Sequence, residues 1–167
     1  MGNLPRKGRD KSFNFFIEKI PSVFVILIGI VWKFSIDYII IRLSSSSLAQ
    51  NSEAVDYFHI VIALFLAPPI ETLFFQLIPI ELAEYLSYKI WNKRFPVIAA
   101  CVSALCFGIS HSYSILSVLS ASLTGLALSN TYLIFKYRRQ SISHGYIMTV
   151  LLHFIVNFII NIARILP

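Results

Sequence analysis

Five long apolar runs, at about 21–41, 58–82, 97–110, 115–135 and 146–166, decide what this chain can become. A helix needs about 20 apolar residues to cross ~30 Å of hydrocarbon, and these runs lie near that length. The third is short and is expected to extend to either side. Residues are 57% hydrophobic and only 13% charged, against roughly 25% charged in an ordinary soluble domain. A water-soluble globule of this size is therefore excluded. The expected fold is all-α, an integral membrane bundle of about five transmembrane helices. Residues 1–20 form a basic N-terminal segment and residues 21–167 the transmembrane domain, with no internal repeat.

The net charge of +6 does not form a nucleic-acid-binding face. Arg6, Lys7, Arg9, Lys11 and Lys19 precede the first run, Lys89, Lys93 and Arg94 follow the second, and Lys136, Arg138 and Arg139 follow the fourth. Only Arg42 and Arg164 fall on the other side, an alternation that encodes topology and puts the N-terminus in the cytoplasm. The first run is long and lacks a small-residue cleavage site, so it is not read as a cleavable signal. Arg6 stands where a myristoylation signal wants Ser or Thr. Cys101 and Cys106 are five apart and diverge on a helix, which reads as packing.

Polar groups inside apolar runs are few. Lys33 and Asp37, four apart, share a helix face and are expected to pair. Ser117, Ala121, Gly125 and Ser129 form a small-residue stripe that lets helices approach closely in lipid. The remaining signals are Glu71-Thr72-Leu73-Phe74-Phe75-Gln76, Phe107 to His111, and His153 to Asn157, with Asn161 one turn further. Ionisable groups at membrane depth are costly and mark functional sites by default. Glu71 is 18 residues from Lys89, His111 is 15 from Pro96 and His153 is 14 from Arg139. Those separations correspond to about 27, 22 and 21 Å along helices, similar enough in depth for the three to meet. Pro68 and Pro69 suggest that a fresh helix starts just before Glu71, placing its carboxylate in a first turn beside free N–H groups. Phe107, four residues before His111, lies on the same face and can fix the imidazole's orientation. His59 and His144 sit near segment ends and join no such face.

The order Glu-x-x-x-x-Gln, Phe-x-x-x-His, His-x-x-x-Asn on successive membrane helices resembles the CPBP family, the CAAX-protease and bacteriocin-processing group of intramembrane proteases. The resemblance covers roughly 67–161. It implies a multi-pass protein of the bacterial plasma membrane, acting on a membrane-associated peptide or protein. It also implies that Glu71 activates water as general base, that His111 helps to hold that water, and that His153 and Asn157 stabilise the oxyanion. Thr72 stands where the family usually has a second Glu, and Gln76 where it has Arg.

The chemistry is coherent: a carboxylate can deprotonate water for amide hydrolysis, and donors aimed at the developing oxyanion commonly contribute ~3 kcal/mol each. Glu71, His111 and His153 are also a possible zinc ligand set. No HExxH pair lies on one helix, and the resemblance favours a mechanism without metal or other cofactor. A non-catalytic relative, such as a bacteriocin-immunity or scaffold protein, would keep the polar core to bind a partner. A transporter would be expected to show inverted repeats, which are not seen.

Overall fold

A computed structural model describes residues 20–43 and 57–165. The expectations for the basic N-terminal segment and for the Ser44 to Asp56 loop lie outside these residues. Among the described residues there are five helices and no strand. Helix α1 is Ser22–Leu43, α3 is Pro96–Ser110, α4 is Ile115–Arg139 and α5 is Ile142–Ile165. Helix α2 covers residues 57–91 as one continuous rod of alternating α and π stretches. Spans Ser22–Ile40, Ile62–Trp91, Ile115–Arg139 and Ile142–Ile162 are each long and apolar enough to cross a membrane. Large apolar side chains such as Phe24, Ile28, Phe74 and Ile98 are exposed around the outside, the inverse of a soluble protein's surface. The chain is an integral, multi-pass membrane protein.

Helix α3 does not extend as expected. Its 15 residues make about 22 Å, too short for a full crossing. Asn92, in the left-handed region at φ 53°, caps α2 and starts the turn into α3. At the other end the helix stops at His111, which has φ −108° and ψ 37°. His111 is thus a helix-terminal residue and not an interior one.

A helix end at membrane depth leaves polar groups that lipid cannot satisfy, and here serines satisfy them. Ser110 Oγ donates to Phe107 O at 2.7 Å, and Ser117 Oγ lies 3.0 Å from His111 O. Ser114 and Ser117 form a reciprocal capping box that starts α4.

Helices α3 and α4 share the broadest packing in the molecule, and α1 lies against α4 and α5. The small-residue stripe works as expected at the α3–α4 contact. A Cβ on Gly125 would sit 2.9 Å from Phe107 Cβ and 3.1 Å from Ala104 Cα, so only glycine permits this approach. Ser129 lies fully buried against Ser103, Oγ to Oγ 2.7 Å. Two apolar clusters result: Ile80, Ala99, Ala100, Tyr132 and Leu133 at one level, Phe107, Leu128, Leu152 and Val156 at another. The second cluster supports the site.

Candidate active site

Helix α2 does not break at Pro68-Pro69, so Glu71 is not in a first turn and the dipole argument for it fails. The chain stays helical because a π stretch comes before each proline position: Ile62–Leu66 before Pro68 and Pro69, and Thr72–Leu77 before Pro79. A π stretch widens the backbone, which relieves the clash between a proline ring and the preceding turn. The cost is carbonyls without donors. Ala67 N–H bonds Ile62 O, and the next residue, Pro68, has no N–H, so Ala63 O is left without a partner from its own helix. Asn157 of α5 supplies one, Nδ2 to Ala63 O at 2.9 Å. Likewise Pro79 cannot donate to Phe75 O, and Ser103 of α3 does so at 2.6 Å. Tyr146 OH donates to Pro69 O at 3.0 Å. The prolines thus determine where α3 and α5 grip α2, and they place Asn157.

Glu71 sits at the junction of an α and a π stretch, half-buried, with Oε2 3.5 Å from His153 Nε2. The other nitrogen of that ring, Nδ1, lies 3.5 Å from Thr72 Oγ1. Both contacts are long for hydrogen bonds, and they hold the buried imidazole between two neighbouring residues of α2. His111 turns its Nδ1 to Phe107 O at 2.9 Å and to Ser110 Oγ at 3.0 Å. Its ring lies 4.5 Å from that of Phe107, which meets His153 edge-on at 5.9 Å. Phe107 is therefore a partition between the two imidazoles. Asn161 Nδ2 donates to Asn157 O at 2.8 Å and extends the α5 face. Glu71, Phe107, His111, His153 and Asn157 all line one cavity of about 350 Å³. His144 stands apart, edge-on to Phe135.

Residues 53–159 match the family model described as Type II CAAX prenyl endopeptidase Rce1-like. The chain belongs to this family. No curated protein and no solved structure matches it. The match to the Rce1-like family covers Glu71, Phe107, His111, His153 and Asn157 and begins after α1.

Within this Rce1-like frame, the two departures from the expected motif are fully buried. Thr72 packs its hydroxyl against His153, while Gln76 has no partner for either amide atom among the described residues. An unpaired buried amide group costs about 1–3 kcal/mol. As to a metal, Glu71 and His153 are adjacent, and His111 commits one of its two ring nitrogens, Nδ1, to backbone and serine. Among the described residues no three His, Cys, Asp or Glu side chains are disposed to hold a metal ion.

Sequence reasoning missed two features. Lys33 and Asp37 do pair, at 2.5 Å, but Lys33 also lines the cavity. Lys136 is not a loop cation: it is buried in α4 and bonds both Glu81 and Glu84 of α2, the latter at 2.7 Å. Tyr132 OH donates to Glu81 at 2.7 Å, Tyr137 OH donates to Glu84, and Arg94 lies 3.9 Å from Glu84. The signal was present in sequence as two carboxylates three apart on an apolar helix.

Proposed function

We propose that the chain is an intramembrane endopeptidase that hydrolyses a peptide bond with water activated by Glu71, without a metal. The observation that carries this reading is the placement of Glu71 against His153, beside His111 and Asn157, in one cavity. Water attacks the scissile carbonyl carbon while Glu71 takes its proton. The carbonyl oxygen becomes an oxyanion, stabilised by donors already in place. Asn157 Nδ2 carries two hydrogens and spends one on Ala63 O, leaving the other for that oxygen. Because an ionised Glu71 can only accept, the tautomer of His153 that suits the site carries its hydrogen on Nε2, facing Glu71, and leaves Nδ1 to accept from Thr72. It holds the carboxylate or the oxyanion according to where charge develops. His111 helps to hold the water. When the intermediate collapses, the C–N bond breaks and the proton on Glu71 passes to the leaving amine.

The test is incubation of purified protein with a library of membrane peptides beside a Glu71→Ala control. Cleavage confined to the unsubstituted protein is the expected result. Equal cleavage by both proteins, or none by either, overturns the assignment.

A further inference from the structure

The cavity beside Glu71 has a mouth. Among the described residues that line it, only Tyr113, in the turn between α3 and α4, is fully exposed, at 92%. Ser110, Ser112 and Ser114 around it are exposed as well, so the mouth is rimmed with hydroxyls. Irregular backbone at membrane depth is tolerated where it is buried in protein or meets water. This turn is not buried, so it is a place where water reaches the bundle. Inward from it, Ser117, Ser120 and Thr124 follow one another at spacings of three and four. They therefore share a face of α4, and all three line the cavity. Elsewhere the lining is largely apolar, with Ala63, Ala67, Leu128 and Val156.

Each of these hydroxyls has a single hydrogen, and each gives it to the protein. Ser117 donates to carbonyls of the turn, Ser120 to Asp37 Oδ1 at 3.3 Å and Thr124 to Ser120 O at 3.0 Å. What is left on each oxygen is acceptor capacity. A row of acceptors suits water, which donates one hydrogen to the wall and keeps its oxygen and second hydrogen for the next molecule. The row spans about 10 Å, seven residues of helix, and it ends at the carboxylate. Helices α2 and α4 run in the same direction, and Tyr132 bonds Glu81. Ten residues back along each, Glu71 is about level with Ser122, between Ser120 and Thr124. Helix α3 meets α4 at the same level, since a Cβ on Gly108 would collide with Ser122, and the turn at His111 lies just above.

We propose that the face of α4 formed by Ser117, Ser120 and Thr124 is a water-binding path that enters at the α3–α4 turn past Tyr113 and supplies Glu71. The proposal rests on the hydrolytic reading of the cavity, and its test does not need turnover. Full-length protein with Cys101→Ala and Cys106→Ala receives one new cysteine at a time and is placed in phosphatidylcholine proteoliposomes in one orientation. A membrane-impermeant trimethylammonium methanethiosulfonate is added, and modification is followed by mass. Leu105 is the control: its neighbour Ala104 packs on Gly125, close to the level of Thr124, while Leu105 itself is exposed on the outside of the bundle. Ser117→Cys and Ser120→Cys are expected to react at least about tenfold faster than Leu105→Cys, because a thiol ionises where water reaches it and not in apolar surroundings. They should react from the face that labels Ser112→Cys and be spared from the face that labels Lys93→Cys. Should Ser120→Cys fail to fold, Thr124→Cys carries the same expectation. Rates equal to that of Leu105→Cys, reaction at Ser117→Cys without reaction further in, or entry from the Lys93 face overturns the proposal. Labelling as expected in a protein that cleaves nothing sinks the hydrolytic reading and leaves the water path standing.

Discussion

Two polar clusters are buried along α2, and they are built on opposite principles. Around Glu81 and Glu84 the carboxylates are matched by Lys136, Arg94, Tyr132 and Tyr137, with Tyr132 to Glu81 and Lys136 to Glu84 both at 2.7 Å. Around Glu71 the contacts are 3.5 Å long, and a cavity adjoins them. The first cluster has used its charge and donors on itself. The second keeps capacity in reserve, with a half-buried carboxylate and an amide that has one donor committed. If Glu71 is the base proposed above, buried charge alone does not mark a site in this protein; incomplete satisfaction beside open space does.

Substitutions can break that comparison, beginning with the largest effect. Glu71→Gln should lower the rate of peptide cleavage about 10⁴-fold, the upper range for a lost general base, with a melting temperature close to that of the unsubstituted protein. Cleavage kinetics and thermal unfolding on the same preparations decide this, and full activity would sink the general-base role. Lys136→Met should do the reverse. Leaving the buried Glu84 and the partly exposed Glu81 without Lys136 should cost about 3–5 kcal/mol of stability, read by denaturant unfolding, while the molecules that remain folded cleave at the normal rate. A loss of activity without a loss of stability would show that the two clusters are not separate in function.

Asn157→Ala should cut turnover about 10²-fold, as loss of one oxyanion donor does. It should also cost about 1–3 kcal/mol of stability, because Ala63 O loses its partner. An effect on only one of the two readouts would show that Asn157 serves one cluster property and not both. Thr72→Val, which removes only a long contact to His153, should cost turnover no more than about tenfold. The smallest expected effect is none: chelators should leave cleavage unchanged and metal analysis should find far less than one equivalent. Inactivation by chelation, reversed specifically by zinc, would turn Glu71 from base to ligand.

Much of this arrangement is legible in the sequence. Apolar run lengths give the helices, and the depth argument from Lys89, Pro96 and Arg139 correctly brings Glu71, His111 and His153 to one cavity. The Lys33–Asp37 pair follows from spacing alone. What fails are inferences that need a partner from elsewhere in the chain. Pro68 and Pro69 read as a break because the donor that relieves the rod there, Asn157, comes from α5. Lys136 reads as a loop cation because Glu84 and Glu81 lie 52 and 55 residues away. The gap between the runs 97–110 and 115–135 marks the turn at His111 to Ser114; what the sequence does not say is that α3 keeps to 15 residues, because the serines that satisfy its end are spread over Ser110, Ser114 and Ser117.

The bond from Asn157 to Ala63 O has a consequence for how this protein can change over generations. Pro68 creates the vacancy that Asn157 fills. A descendant that exchanged Pro68 for an ordinary residue would regain a backbone donor, and its asparagine would be released from the rod. One that lost Asn157 first would carry an unpaired carbonyl until the proline also went. The easier route runs through the proline, so the two positions are tied in inheritance although 89 residues separate them in the chain.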